Sequence, residues 1–133
     1  MHMTGKQKNK LGERELDIMQ VLWQLGRATI GEVHKALLEK DEELAYTTVQ
    51  TMLNRLEAKG IVERNIEGAA YHYRSLVRKS EVIGTFIGRV TDRFFKDSTE
   101  ELIIHLVKQE LEDEQLERIQ TLINQQRQKR AKA

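Results

Sequence analysis

Residues 44 to 64 read LAYTTVQTMLNRLEAKGIVER and carry the strongest structural signal in this chain. Four apolar residues recur there at positions i, i+3, i+4 and i+7, as on one face of a helix: Val49, Met52, Leu53 and Leu56. The other face is polar and holds Thr47, Gln50, Thr51, Asn54 and Arg55. Gly60 follows, where a helix C-terminus favours a residue that tolerates positive φ. We therefore predict a helix from about Tyr46 to Lys59 with one buried and one polar side.

Two further helices are predicted before this one. From Glu13 to Leu25 the apolar residues keep helical spacing, and Trp23 belongs to that stripe, so we expect it in the core. Thr29 with Glu32 three residues later forms a capping box, which predicts the start of a second helix. That helix runs to about Lys40.

A β-hairpin is predicted after the third helix. Residues 62 to 66 and 71 to 74 alternate between polar and apolar types on either side of the turn Glu67-Gly68-Ala69. The alternation puts Tyr71 and Tyr73 on one side, and we expect both to be covered. Three helices followed by a hairpin is the order of a winged helix-turn-helix, in which the third helix is the recognition helix.

The rest of the chain shows only helical spacing. Ser98 is the expected N-cap of the middle one of three amphipathic helices. About fifty residues bury little surface by themselves, so we expect these helices to pack against a second copy in a two-fold dimer. The expected dimerisation residues are Ile83, Phe86, Ile87, Val90, Phe94, Leu102, Ile103, Leu106, Leu116, Ile119 and Ile123.

The predicted fold class is mainly α with a small β-hairpin. We expect a winged helix-turn-helix over residues 11 to 77, a helical dimerisation domain over 78 to 125, and flexible termini over 1 to 10 and 126 to 133. This assignment follows the change from mixed to purely helical spacing after residue 77.

Composition narrows the classes of function. The 133 residues include 22 basic and 21 acidic ones, so any DNA affinity has to come from local placement of charge. The chain has no cysteine, which excludes disulfides and thiolate metal sites. His34, His72 and His105 are too scattered to suggest a metal site. No catalytic motif and no apolar stretch long enough for a membrane span occurs, so we expect a soluble cytoplasmic protein with no enzymatic activity and no cofactor.

The polar side of the third helix suggests contact with DNA. Thr47, Thr48, Gln50, Thr51 and Asn54 could meet base edges in the major groove, because Gln can bond adenine and a Thr methyl can pack on thymine. Phosphate contacts are expected from four cations, Arg55, Lys59, Arg64 and Arg74. Tyr46 could bond a phosphate or cap the helix. The alternatives are a solvated face with nothing bound, and cations that form ion pairs with Glu57 or Glu63.

The chain resembles the penicillinase and methicillin-resistance repressor family and its copper-responsive relatives over about residues 11 to 124. The resemblance rests on LGERELDIMQVLW at 11 to 23, AYTTVQTMLNRLEAKGIVER at 45 to 64, and EGAAYHYRSLV at 67 to 77. Ala69 stands where family members often carry Arg, and Ser75 where they often carry Pro.

The resemblance implies a homodimeric transcriptional repressor whose winged helix binds dyad operators, often with TACA/TGTA half-sites. It also implies a link to antibiotic resistance, in which a membrane sensor-protease triggers cleavage of the repressor at an Asn-Phe bond. That bond aligns with His105-Leu106 here, so the cleavage motif is missing. The cysteine cluster of copper-responsive members is missing as well.

The predicted function is therefore sequence-specific repression by a homodimer on double-stranded operator DNA, ended by an event that disrupts the dimer. A sensor-linked protease is a further partner that the resemblance suggests. The alternative is a winged-helix module for protein–protein interaction that does not bind DNA. Salt dependence separates the two, because DNA affinity falls steeply with salt.

Overall fold

The computed structural model describes residues 11 to 132, so the predicted loose arm over 1 to 10 lies outside the described residues. Its elements, in chain order, are α1 (Glu13–Leu25), α2 (Ile30–Glu39), α3 (Tyr46–Ala58), β1 (Val62–Glu67), β2 (Ala70–Ser75), α4 (Lys79–Phe94), α5 (Thr99–Val107) and α6 (Asp113–Lys132). The predicted fold class is confirmed, because three helices precede an antiparallel hairpin and three more helices follow it.

Local signals set the ends of the first three helices. Gly26 ends α1 with φ 83°, and Gly60 follows α3 with φ 75°. At the start of α2 the backbone N–H of Glu32 donates to Thr29 Oγ1 at 3.1 Å, and the N–H of Thr29 donates to Glu32 Oε1 at 3.0 Å. The predicted capping box is therefore present. The bond from the Thr29 backbone lowers the pKa of Glu32.

The hairpin pairs Val62 with Ser75 at its base and Glu67 with Ala70 at its tip. Gly68 has φ 64° at the first position of the two-residue turn, as a type II′ turn requires. At the base, Tyr73 exchanges two backbone hydrogen bonds with Ala28 in the α1–α2 loop, at 2.9 and 2.8 Å. These bonds hold the hairpin against the helices.

The core lies between α1, α2, α3 and the base of the hairpin. Its largest fully buried side chains are Ile18, Met19, Val21, Leu22, Val33, Leu37, Val49, Leu53, Leu56, Ile61, Val62 and Tyr73. In α3 the buried residues Val49, Leu53 and Leu56 all lie on one side, so the other side of the helix lies outside the core.

The chain divides into two compact units, and the boundary falls between Ile87 and Gly88, inside α4. The sequence predicted a boundary after residue 77. The difference arises because Val77 and Val82 are buried in the core of the first unit and Phe86 packs against it. The start of α4 therefore completes the winged-helix core.

The second unit contains the end of α4, α5 and α6. Ser98 caps α5 as predicted, with Oγ accepting from the N–H of Glu101 at 3.2 Å. α6 continues to Lys132 and so includes residues 126 to 132, which the sequence predicted to belong to a flexible terminus. Neither α5 nor α6 contains a buried residue. Among the described helices, none combines the length and the apolar character needed to cross a membrane.

Candidate nucleic-acid interface

The polar face of α3 points to solvent. Thr47, Gln50, Thr51, Asn54 and Arg55 are all exposed, whereas Thr48 is half-buried. The opposite face anchors the helix, because Val49, Leu53 and Leu56 are fully buried in the core. A rigidly held helix that presents five exposed polar side chains has the form of an element that enters a groove.

The hydrogen-bonding groups on this face are largely available. Thr51 Oγ1 donates to the carbonyl of Thr47 at 2.9 Å, so its hydroxyl keeps only acceptor capacity. The side-chain amides of Gln50 and Asn54 form no hydrogen bond with another residue between 11 and 132. Each amide offers a donor and an acceptor in one plane, which is the pair that an adenine edge requires. A shallow depression of about 230 Å³ between Thr47 and Arg55 lies along the same face.

The N-terminus of α3 suits a negatively charged group. Its N-cap is Ala45, which supplies no side-chain hydrogen bond, and the first turn contains no acidic residue. No cap within residues 11 to 132 occupies the first backbone N–H groups of the helix, so they can donate to a phosphate oxygen, which the helix dipole also favours. Tyr46 is the first helical residue and is 47% exposed, with its ring edge-on to His34 at 5.8 Å between centroids.

The four cations predicted to meet phosphates differ in their surroundings. Arg64 lies 3.3 Å from Glu57, and Arg74 bonds to Glu63, which are the ion pairs that the sequence left as alternatives. Arg55 has no ion-pair partner within residues 11 to 132. Of the four, Arg55 is the cation whose charge is not already matched by a carboxylate.

Lys59 has a partner that the sequence did not suggest. Its Nζ lies 3.0 and 3.1 Å from the two carboxylate oxygens of Glu15, whose side chain is only 8% exposed. Glu15 also accepts from the backbone N–H of Gly12 at the start of α1. Lys59 thus ties the end of α3 to the beginning of α1. The sequence held one signal for this contact, because Glu15 is an acidic residue in the first turn of a helix whose face is otherwise apolar.

Tyr71 is exposed, so the expectation that both tyrosines of the hairpin are covered is wrong for it. Tyr73 is 1% exposed and Tyr71 is 45% exposed. Both lie on the same side of the strand, but Tyr71 pairs with Ile66 near the tip, where the hairpin extends past the core. The guanidinium of Arg64 lies over the Tyr71 ring at 4.5 Å. The outer part of the wing therefore carries an exposed aromatic and a cation.

Trp23 lies at the edge of the core rather than inside it. It is half-buried, and its indole N–H donates to Ser75 Oγ at 3.1 Å and to the Val77 carbonyl at 3.0 Å. Ser75 is one of the two departures from the family pattern, and here its hydroxyl joins the end of β2 to α1.

The expected dimerisation residues are mostly exposed. Phe86 and Leu102 are half-buried, and Phe86 packs on the first core. The other members of the set are 36% exposed or more: Ile83, Ile87, Val90, Phe94, Ile103, Leu106, Leu116, Ile119 and Ile123. Within residues 11 to 132, His, Asp and Glu side chains form no cluster that could hold a metal ion.

Residues 11 to 125 match the model of the penicillinase repressor family. The chain belongs to this family. It is 30% identical over 107 residues to the transcriptional regulator BlaI of Mycobacterium tuberculosis, covering 79% of this chain and 77% of the relative. It is 28% identical over 107 residues to the penicillinase repressor of Bacillus licheniformis, covering 80% of each.

A third relative is the methicillin resistance regulatory protein MecI of Staphylococcus aureus, 20% identical over 116 residues, which are 86% of this chain and 94% of MecI. The names of all three relatives are those of regulators or repressors.

The solved structures that match the chain include the following two. YusO of Bacillus subtilis covers 77% of this chain and 74% of its own, with 17% identity and a TM-score of 0.52, so it shares the fold. BlaI of Bacillus licheniformis was solved as a monomer in complex with the blaP half-operator. It has 32% identity and a TM-score of 0.48, and the match covers 54% of this chain and 87% of BlaI.

Proposed function

We propose that the protein represses transcription by binding operator DNA, with the polar face of α3 in the major groove. The observation that carries this proposal is the outward face of α3, where the exposed side chains of Gln50, Asn54 and Arg55 form no hydrogen bond or ion pair within residues 11 to 132. In solvent such an amide is hydrogen-bonded to water, and a base edge can offer it a donor and an acceptor in place of that water. Membership of a repressor family supports the same function.

The charge distribution implies that contacts to bases and the linkage of two copies contribute more to operator affinity than the net charge of the protein does. One copy offers Arg55 and the N-terminus of α3 to phosphates, while Arg64 and Arg74 would have to share their carboxylate partners. The side chains of these two arginines are 41% and 54% exposed, and such surface pairs are weak enough to be rearranged. A single copy therefore binds weakly, and two linked copies gain affinity by acting together.

We infer that the protein acts as a two-fold homodimer on a dyad operator. The exposed apolar side chains of α4, α5 and α6 support this, because patches of this kind on a monomer usually mark an interface. In such a dimer the two α3 helices enter successive major grooves about 34–36 Å apart on one side of the duplex.

Release of the operator would follow from separation of the C-terminal helices, since each copy makes only half of the contacts. Either a ligand bound at the dimer seam or cleavage by a sensor-linked protease would separate these helices. The position of the family's cleavage bond, His105-Leu106, lies in α5, where Leu106 is 52% exposed. The residues there are not Asn-Phe, so a protease would need a different sequence preference.

Fluorescence anisotropy with labelled duplexes tests this proposal. The probes are a duplex with a TACA/TGTA dyad, the same duplex with one half-site scrambled, and a fully scrambled duplex. Should none of them be preferred, the best duplex selected from a random pool takes their place. We expect preference for the dyad, and an affinity that falls log-linearly between 50 and 200 mM salt.

Binding that ignores both sequence and salt, or no DNA binding at all, would contradict the proposal. The second result is what the alternative, a protein–protein interaction module, predicts.

A further inference from the structure

The last helix, α6, has no adequate partner within its own unit. It spans 20 residues, none of which is buried. In proteins most of the stability of a helix comes from the packing of an amphipathic face rather than from helix propensity. Its apolar residues Leu116, Ile119, Leu122 and Ile123 are 38%, 36%, 55% and 51% exposed. A second chain has to cover this face if α6 is to be stable.

The apolar face of α6 has the spacing of a two-helix seam. Successive steps of three and four residues, as between a and d in a heptad repeat, connect Glu112, the residue just before α6, with five positions of one stripe on the helix: Leu116, Ile119, Ile123, Gln126 and Arg130. The middle of the stripe is apolar and its ends carry opposite charges. Glu112 lies at the acidic end and Arg130 at the basic end.

The charge asymmetry extends beyond the stripe. Asp113 and Glu114 are in the first turn of α6, and Lys129, Arg130 and Lys132 are in the last. The helix dipole favours this placement within one helix, but it does not require charges in line with the apolar seam. Arg127 flanks the seam, and it lines a depression of about 320 Å³ together with Ile123 and Arg130. A carboxylate from a second helix would find two guanidinium groups there.

Opposite charges at the two ends determine the direction in which two copies can pair. A parallel pair would bring acidic turn against acidic turn and basic turn against basic turn. An antiparallel pair in which Ile119 faces Ile123 of the second copy puts Glu112 opposite Arg130 and Asp113 beside Arg127. Like charges held together are destabilising, so the antiparallel arrangement is the favoured one.

We propose that α6 pairs in antiparallel orientation with α6 of a second copy, and that the charges at its ends set this direction. The proposal rests on the homodimer proposed above and adds the element, the register and the partner surface. Arg127 and Arg130 lie beyond residue 125, where the match to the family model ends.

Disulfide linking tests the orientation, because the chain has no cysteine and a single introduced thiol is unique. In the antiparallel register, position 120 lies about 3 Å along the axis from its own copy, whereas position 126 lies about 15 Å from it. We expect Gln120→Cys to form disulfide-linked dimers under mild oxidation and the matched Gln126→Cys not to form them.

Linking of Gln126→Cys to itself would overturn the antiparallel arrangement, since that position faces its own copy only in a parallel pair. Failure of both variants to link, in a chain that sediments as a dimer, would also overturn it and would leave the homodimer standing. A chain that sediments as a monomer would instead contradict the homodimer itself.

Exchanging the charges at the two ends of α6 tests whether they set the direction of pairing. Glu112→Lys with Asp113→Lys, or Arg127→Glu with Arg130→Glu, should each weaken self-association about tenfold or more in sedimentation equilibrium. The quadruple variant that exchanges both ends should restore it. Unchanged association of each double variant would contradict the role of these charges, because a parallel pair has like charges in contact before and after either exchange.

Discussion

Gln50 is the residue on α3 whose truncation should reduce discrimination at one operator base pair. Its amide is exposed and makes no hydrogen bond within the described part of the chain, so truncation removes contacts to DNA without disturbing the core. We expect Gln50→Ala to reduce discrimination at one operator base pair by about 1–3 kcal/mol. Binding of a panel of single-substituted operator duplexes measures this. An unchanged preference at every position would exclude Gln50 from base recognition.

Arg55 should behave differently, because a phosphate contact carries no sequence information. We expect Arg55→Ala to weaken binding to all duplexes alike and to flatten the slope of log K against log salt by about two per dimer, one for each copy. Arg74→Ala is the matched control, since Arg74 is already paired with Glu63. An Arg74 variant that changes the slope as much as the Arg55 variant would show that the ion pair opens on DNA.

Lys59 is a stability residue in this structure. Its partner Glu15 is almost buried, so removal of the ammonium leaves a carboxylate with little water to solvate it. We expect Lys59→Met to lower the free energy of unfolding by about 1–3 kcal/mol. Urea denaturation of the variant and of Arg74→Met, which breaks an exposed pair, gives the comparison. The double variant Glu15→Gln, Lys59→Met should recover part of the loss, and additive losses would contradict the coupling.

At the scale of elements, the capping box of α2 predicts a pH dependence. The backbone bond from Thr29 lowers the pKa of Glu32 below its ordinary value of 4.5. The stabilisation is therefore complete above that value and is lost as the pH falls through the lower pKa of the folded state. A carboxylate at a helix N-terminus contributes about 0.3–1 kcal/mol.

Glu32→Gln removes the titrating group and keeps an acceptor for the Thr29 N–H. The difference in unfolding free energy between the parent and this variant should be constant above pH 5 and shrink towards pH 3. A difference that stays the same across this range would mean that the charge of Glu32 contributes nothing to the cap.

The hairpin shows how length decides exposure within one element. Tyr71 and Tyr73 share a side of β2, yet only Tyr73 has helices beneath it, since it bonds to Ala28 at the base. Alternation specifies the side of a strand to which a residue belongs. It does not specify where along the strand the core ends. The exposed Tyr71 follows from the reach of the wing beyond the three helices.

At the scale of the whole molecule, the position of the unit boundary predicts the effect of truncation. Val77 and Val82 are buried in the first core, so a chain that ends at Leu76 loses two core residues and the contact of Phe86. We expect a chain ending at Ile87 to unfold cooperatively with a higher melting temperature than one ending at Leu76. It should also bind a dyad far more weakly than the full chain and a half-site about equally.

Circular dichroism melting and anisotropy titrations measure these two effects. Equal melting temperatures would show that the start of α4 adds nothing to the winged-helix core. Equal affinity of the truncated and the full chain for the dyad would contradict the proposal that residues after Ile87 hold two copies together.

The elements of this protein could be predicted because their signals are local. The spacing of Val49, Met52, Leu53 and Leu56, the Thr29–Glu32 box and the turn at Gly68 each operate within a few residues. The polar side of α3 could be predicted for the same reason, since it is the remainder of a helix whose other side is apolar. The dimer, its residues and its release stay predictions.

Whether each cation is paired with a carboxylate depends on the tertiary structure. Lys59 meets Glu15 across 44 residues of sequence, and Arg74 meets Glu63 across the hairpin, whereas Arg55 meets no carboxylate between residues 11 and 132. The exposure of Tyr71 and the extension of the first unit to Ile87 were decided in the same way. Sequence alone determined where the helices and strands lie, because backbone hydrogen bonds and caps join near neighbours, although α6 runs on to Lys132 through residues predicted to be flexible. Only the folded chain decided which charges are matched and which apolar groups are covered, because both depend on distances between residues remote in sequence.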